Sequence, residues 1–451
     1  MPCDGEAATR RFGTRAEDGN KNEGRGEAGT ENGDGDSSAG ETGGRATFSL
    51  SPGIVLLFAI ACGASVANVY FSQPLLVTMG HDLAMSPALI GSVVTLTHVG
   101  YGLGLFFLVP LGDRVDRRRL VVVQLLGLVG ALSLVATART AGMLLAGMAA
   151  TGLLAVVTQT LVAFAASLAP AARRGRVVGL VTSGVVVGIL LARTASGVLA
   201  DLAGWRSVYL ASASLTALLA LVLHRVLPRD RALPPGSGAP GTRRTPLRYG
   251  ELLLSTVTLF ARERLLRLRA LFCLLVFAAF STLWSSVALP LSEAPYSLSH
   301  SAIGALGLVG AAGALAATAA GRLNDRGLSR QTTGTALALL AVSWVPLAFT
   351  RSSLAALIIG VVLLDLAVQA VHVTNQTLIY ALHPEAGSRL IGGYMVFYSV
   401  GSALGAIAAT SLYTVGGWGA VCGLGAGFSC VALALWAATR RSVDGAADRV
   451  G

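Results

Sequence analysis

Asp365, Gln369, His372 and Gln376 recur at i, i+4, i+7 and i+11 inside the apolar run 353–377. That spacing puts all four on one face of a helix, and the other faces are mostly Val, Leu, Ile and Ala. Side chains of these types exchange protons and hydrogen bonds. Unpaired charge in lipid costs several kcal/mol, so such a stripe must face protein or a water-filled cavity. Asp365 lies about twelve residues into the run, near its middle at ~1.5 Å per residue. Burial there disfavours the carboxylate, which lets the carboxyl take and release a proton near neutral pH. The competing reading is a structural bond to another helix, with Arg193 or His98 as partner.

Other polar side chains interrupt other runs. Arg193 lies about sixteen residues into the run 177–200 and cannot readily neutralise. It either binds an anionic group of a ligand or ties helices together. His98, in "TLTHVGYG", sits mid-run and titrates near physiological pH. It is a proton carrier or a hydrogen-bonded packing residue. In "NVYFSQPLL" (68–76), Asn68 and Ser72 share a face with Ser65, while Tyr70 and Gln73 share another. The first face is expected to look into a cavity, with Gln73 nearer its rim. Pro74 is expected to free the Tyr70 carbonyl and weaken the helix close to its outer end.

The elements that position these groups follow from hydropathy. Of 451 residues, 53% are hydrophobic and 13% charged, about half the charge of an ordinary soluble domain. Runs of about 20 apolar residues, enough to cross ~30 Å of hydrocarbon, occupy twelve stretches. They are 53–77, 88–110, 120–138, 143–168, 177–200 and 206–227, then 268–290, 301–321, 332–350, 353–377, 390–414 and 418–438. The fold class expected is an all-α membrane protein with twelve transmembrane helices in two homologous six-helix bundles. Net charge is +11, but residues 1–50 carry −4, and the arginines concentrate in alternate gaps between runs. Arg114, Arg117, Arg118 and Arg119 follow the second run, Arg173, Arg174 and Arg176 the fourth, and Arg322, Arg326 and Arg330 flank the gap after the eighth. That alternation orients both termini to the cytoplasm and argues against nucleic acid as a partner. The partners expected are the lipid bilayer, a small-molecule substrate and protons, with the chain a monomer.

The chain repeats itself. Asp113 and Asp325 stand 212 positions apart, and an offset of 213 aligns Arg176, Gly179 and Gly188 with Arg389, Gly392 and Gly401. The division expected is a disordered cytoplasmic tail (1–50), a bundle (51–227), a linker (228–267), a second bundle (268–440) and a short tail (441–451). Parallel repeats of this kind characterise a large class of secondary transporters. No Gly-x-x-x-x-Gly-Lys-Ser/Thr, His-Glu-x-x-His or Gly-x-Ser-x-Gly occurs, so neither ATP-driven transport by this chain nor a hydrolase is indicated. No enzyme activity, metal or cofactor is expected; the five cysteines lack metal or disulfide-framework spacing.

These residues resemble the major facilitator superfamily over roughly residues 50–440. Its loop motif, Gly-x-x-x-Asp-Arg-x-Gly-Arg-Arg, is matched at the front by Gly321, Asp325 and Arg326. The first copy keeps Asp113, Arg114, Arg117 and Arg118 but has Val109 and Asp116 at the glycine positions. Stretches such as "TLTHVGYGLGLFFLVPLGDR" are similar to a bacterial inner-membrane subgroup of proton-linked exporters of drugs or sugars. The resemblance implies a latching role for both loops and a central cavity lined by the first, fourth, seventh and tenth spans. Gln159 in the fourth, Trp284 in the seventh, and Gln369 and Gln376 in the tenth would then face substrate. Trp284 would offer an aromatic face to a ligand, unless it anchors at the membrane interface. Two departures stand out. Met148 occupies the place of an arginine common in the fourth span of antiporters, and the fifth span lacks their Gly-Pro pair. Arg193 is the candidate substitute for the missing charge.

Overall fold

A computed structural model describes residues 51–169, 173–227, 249–382 and 387–447. The tails 1–50 and 448–451 and residues 228–248 of the linker fall outside them. The first pass begins at α1 (Pro52–Ala67), where the Ser51 hydroxyl accepts the Ile54 amide and Pro52 occupies the first turn. It continues through a 3-10 turn (Gln73–Leu75) into α2 (Leu76–Asp82). The second and third passes are α3 (Pro87–Phe107) and α4 (Arg117–Ala136), and the fourth is α5 (Ala141–Ala155) with α6 (Val157–Leu168). α7 (Arg174–Ala203) and α8 (Trp205–Val226) complete the first six.

The second half opens with an amphipathic helix, α9 (Tyr249–Arg262), inside the segment expected to be only a linker. Then come α10 (Arg264–Trp284) with α11 (Ala288–Ser292), and α12 (His300–Val309) with α13 (Ala312–Asp325). α14 (Ser329–Ala348) and α15 (Leu354–Leu382) follow as the ninth and tenth passes. The last two are merged in α16 (Gly387–Ala447), which breaks at Gly417, where φ is +59°. Only glycine adopts such a φ without steric cost, so this position separates the eleventh pass from the twelfth. All twelve apolar runs are thus helical.

The passes differ in how well a continuous helix serves them. Among the described residues eight stretches are long and apolar enough to cross a membrane, the one at Leu390–Thr439 holding two passes. The first, fourth, seventh and eighth passes break in their middles, at 68–75, Val156, 285–287 and 310–311. A mid-span break leaves backbone polar groups that hydrocarbon cannot satisfy, so such helices must lie against protein or water. Pro74 therefore does not mark a weakening near the outer end, because α2 carries the first pass on to Asp82. Nor is the Tyr70 carbonyl left free: it accepts the Gln73 amide at 3.2 Å.

Close backbone approach holds neighbouring passes together where large side chains would prevent it. A Cβ on Gly405 would collide with the Ala278 carbonyl, and one on Gly401 with that of Leu274, so α16 rides directly on α10. Two buried apolar clusters result. One is drawn from residues 55–227 with Ala406, and the other is centred on residues 266–432. The turns that carry several arginines, after α3, α6 and α13, fall by the alternation of passes at one end of the molecule, called here the basic end. At the opposite end α7 meets α12, whereas at the basic end Gly175 and Gly179 of α7 and Gly321 of α13 face open space.

Candidate functional site

A layer of charged, polar and aromatic side chains lies where the broken passes meet. α15 supplies Asp365, which is 6% exposed. Its Oδ1 accepts the Trp284 indole N–H at 3.4 Å, and it forms no ion pair among the described residues. Room for the carboxyl exists because α12 ends at Gly310. A Cβ there would lie 2.5 Å from Asp365 Oδ2. Trp284, the last residue of α10, is buried in this layer and not at an interface.

The Arg193 guanidinium lies over the ring of the same indole, its Cζ 3.9 Å from the ring centroid. Tyr70 and Phe280 enclose it at 5.1 and 5.9 Å. Arg193 Nε donates to Gln73 Oε1 at 2.6 Å, while its Nη2 is buried without a partner among the described residues. One indole thus contacts both a permanent cation, through its ring, and a carboxyl, through its N–H, and the cation and carboxyl form no ion pair with each other among the described residues. Neither partner suggested for Asp365 from sequence bonds it directly: His98 Nδ1 binds the Val94 carbonyl of its own helix at 3.0 Å.

Around this centre runs a chain of rings and hydroxyls. Tyr70 and Tyr398 share a hydroxyl hydrogen bond of 2.7 Å, and the Tyr398 ring lies 6.0 Å from His98 and 4.3 Å from Phe277. Tyr101, against the same ring, bonds Gln159. Toward the basic end, His372 pairs with Tyr394 Oη at 3.0 Å and with Gln376 at 3.1 Å. Gln369, between Asp365 and His372 on the stripe, packs beside Gly313.

Some residues chosen from sequence lie elsewhere. Asn68 is fully buried, donating to the Ala64 and Ser65 carbonyls and accepting the Ser212 hydroxyl of α8 at 2.7 Å. Asn68 is thus turned toward α8, Ser72 is buried with its hydroxyl unpaired among the described residues, and Tyr70 and Gln73 reach the Arg193 cluster. In the first loop the side chain of Asp113 lies outside the described residues. Arg117 binds the Gly112 and Ala163 carbonyls, Arg118 binds the His224 carbonyl, and Arg114 is exposed. Asp325 and Arg326 are exposed at the end of α13.

Sequence reading missed three features. Arg269, one turn into α10, is 5% exposed and bonds Thr333 and Asn375. Its signal was an arginine just inside the boundary of an apolar run. Asp116, at a motif glycine position, caps α4 by accepting the Arg119 amide at 2.9 Å. The third is a clasp at the opposite end. Asp201 of α7 accepts the backbone amides of His300 and Ser301 at 3.2 and 2.8 Å and the His300 ring at 2.6 Å. His300 Nε2 in turn meets the Thr78 hydroxyl at 2.5 Å. The clasp joins residues about a hundred positions apart, and no local pattern marks it.

Helices that break at a buried polar layer, closed at one end by a clasp between halves, define a multi-pass membrane transporter. The family profile of the Major Facilitator Superfamily matches residues 56–317 and 270–449, and the chain belongs to that superfamily. It is 45% identical over 387 residues to the putative uncharacterized transporter YgaY of Escherichia coli strain K12, covering 86% of this chain and 95% of that one. It is 34% identical over 380 residues to the probable transporter SCO4007 of Streptomyces coelicolor, covering 81% and 83%. Among solved structures, a bacterial homologue of the human lysosomal transporter Spinster, inward-facing and occupied, aligns with a TM-score of 0.69. That match is 15% identical over 86% of this chain and 96% of the other, a likeness of fold.

Proposed function

We propose that this protein exports a small organic molecule, a drug-like compound or sugar, across a bacterial inner membrane in exchange for protons. The basic end is then cytoplasmic, as are both termini, and two six-helix bundles (51–227 and 268–440) rock as a monomer about the layer at Asp365. One observation carries the reading: a buried carboxyl with no ion-pair partner among the described residues, held by one indole N–H at the level where the helices break. Ionised, Asp365 attracts Arg193 within the layer and favours the packed arrangement. Protonated, it loses that attraction, and the halves are freer to part. A substrate would stack on the Trp284, Phe280 and Tyr70 rings and offer an oxygen to Arg193 Nη2. A basic or hydrogen-bond-donating group of the same substrate would pair with ionised Asp365 and lose that partner on protonation, which gives exchange of substrate for proton. His98 and His372 are secondary proton carriers on this account, and the Asp113–Arg118 and Asp325–Arg326 loops act as cytoplasmic latches.

Everted membrane vesicles test it. A compound found by growth screening should dissipate an imposed proton gradient with wild-type protein. Asp365→Asn should insert normally yet lose that response. Normal coupling in the Asn variant would remove Asp365 from the mechanism.

A further inference from the structure

A groove of about 970 Å³ runs along the outside of α1 and α7, touching α8 at Leu215. Neither Gln73, Arg193, Trp284 nor Asp365 lines it, so it is separate from the central layer. Its walls are apolar side chains exposed in this protein, among them Leu56, Ile60, Leu180 and Leu191. In a membrane such a face meets lipid. What sets it apart from an ordinary lipid-facing surface is its concavity. Gly63 and Gly184 lie at its floor, so close that a Cβ on Gly63 would stand 2.6 Å from the Gly184 carbonyl oxygen. The two helices therefore approach at the backbone while their large side chains rise on either side.

The polar side chains of the groove are arranged asymmetrically. Arg173 and Arg176 line it at the basic end, both exposed and one helical turn apart on one face. Beyond them the lining is apolar except for Ser183. From Arg176 to Leu191 the helix rises about 22 Å, more than the half-thickness of a ~30 Å hydrocarbon core. One end thus offers two cations at headgroup depth, and the remainder a dry channel as long as an acyl chain. Basic pockets between spans on the cytoplasmic side attract anionic headgroups.

We propose that this groove binds one anionic phospholipid of the cytoplasmic leaflet. Its phosphate sits between Arg173 and Arg176, and one acyl chain lies over the Gly63–Gly184 floor. The proposal rests on the orientation given above for the basic end, but not on the substrate or the proton site.

Native mass spectrometry of the delipidated full chain tests it, with phosphatidylglycerol and phosphatidylcholine of identical acyl chains as probes. Two arginines at headgroup depth should make phosphatidylglycerol bind roughly 30-fold tighter at low salt. Arg173→Gln with Arg176→Gln should erase that preference and leave phosphatidylcholine binding unchanged. Arg225→Gln with Arg262→Gln, elsewhere at the same end, should preserve it. Ala64→Phe, which fills the groove and spares both arginines, should weaken phosphatidylglycerol binding. Equal binding of the two lipids, or a preference that survives loss of both arginines, would overturn the proposal. So would glycerophosphoglycerol, the headgroup without chains, competing as well as the whole lipid.

Discussion

At the scale of single residues, the central layer is decided by what Arg193 and Trp284 do for each other. A guanidinium 3.9 Å over an indole is a desolvated cation–π contact, worth about 2 kcal/mol or more. The planar group also reaches Gln73 through Nε and still leaves Nη2 unused. Lysine keeps the charge but neither the plane nor the fork of donors. Arg193→Lys is therefore expected to raise the KM for transport roughly ten-fold or more, while the protein inserts at wild-type levels. Transport assays over a substrate series check this, and an unchanged KM would leave Arg193 as a tie between helices. The stripe of Asp365, Gln369, His372 and Gln376 was readable because one helix carries all four. What Asp365 touches was not readable, because its neighbours come from α10 and α12 and depend on how those helices end. Asn68 shows the same limit from the other side. Its polarity was plain, but which face of α1 meets α8 is a matter of packing.

At the scale of elements, the twelve passes were legible because length and apolarity are properties of contiguous sequence. Their breaks were not. Val156 interrupts the fourth pass with no proline to announce it, and Gly310 is one glycine among 55. α9 escaped for the opposite reason: it is short, and basic segments adjoin it on both sides. The clasp between α7 and α12 is an element-scale device, since Asp201 takes the first amides of a helix in the other half. Amides at a helix start have no intrahelical partner, and a carboxylate there is favoured by the helix dipole. Hydrogen bonds to a charged group contribute about 1.5–3 kcal/mol each. Asp201→Asn keeps one acceptor oxygen and loses the charge, so closure of this end should weaken by about ten-fold. Ser196→Cys, buried in the closed arrangement, would report it in a chain with Cys3 and exposed Cys430 replaced. Faster modification by a membrane-impermeant maleimide in the Asn variant is expected, and equal rates would show that the clasp does not hold this end shut.

At the scale of the whole molecule, the two halves meet along two seams, α7 against α12 and α3 against α16. Rocking requires both to open at the end opposite the arginines. On the second seam an ideal Cβ at Gly91 of α3 stands 2.9 Å from Thr410 Cβ of α16. Disulfides span Cβ separations near 3.8 Å, so an opening of roughly 1 Å admits one between cysteines at these positions. The pair Gly91→Cys and Thr410→Cys should oxidise once the seam relaxes by that amount, with this end still closed. Transport should stop on oxidation and return on reduction, because the bond pins the end that must part. A merely destabilising substitution would impair transport in both redox states. If the cross-linked protein transports at the reduced rate, the halves do not separate at this end, and the substrate path must lie elsewhere than between α3 and α16.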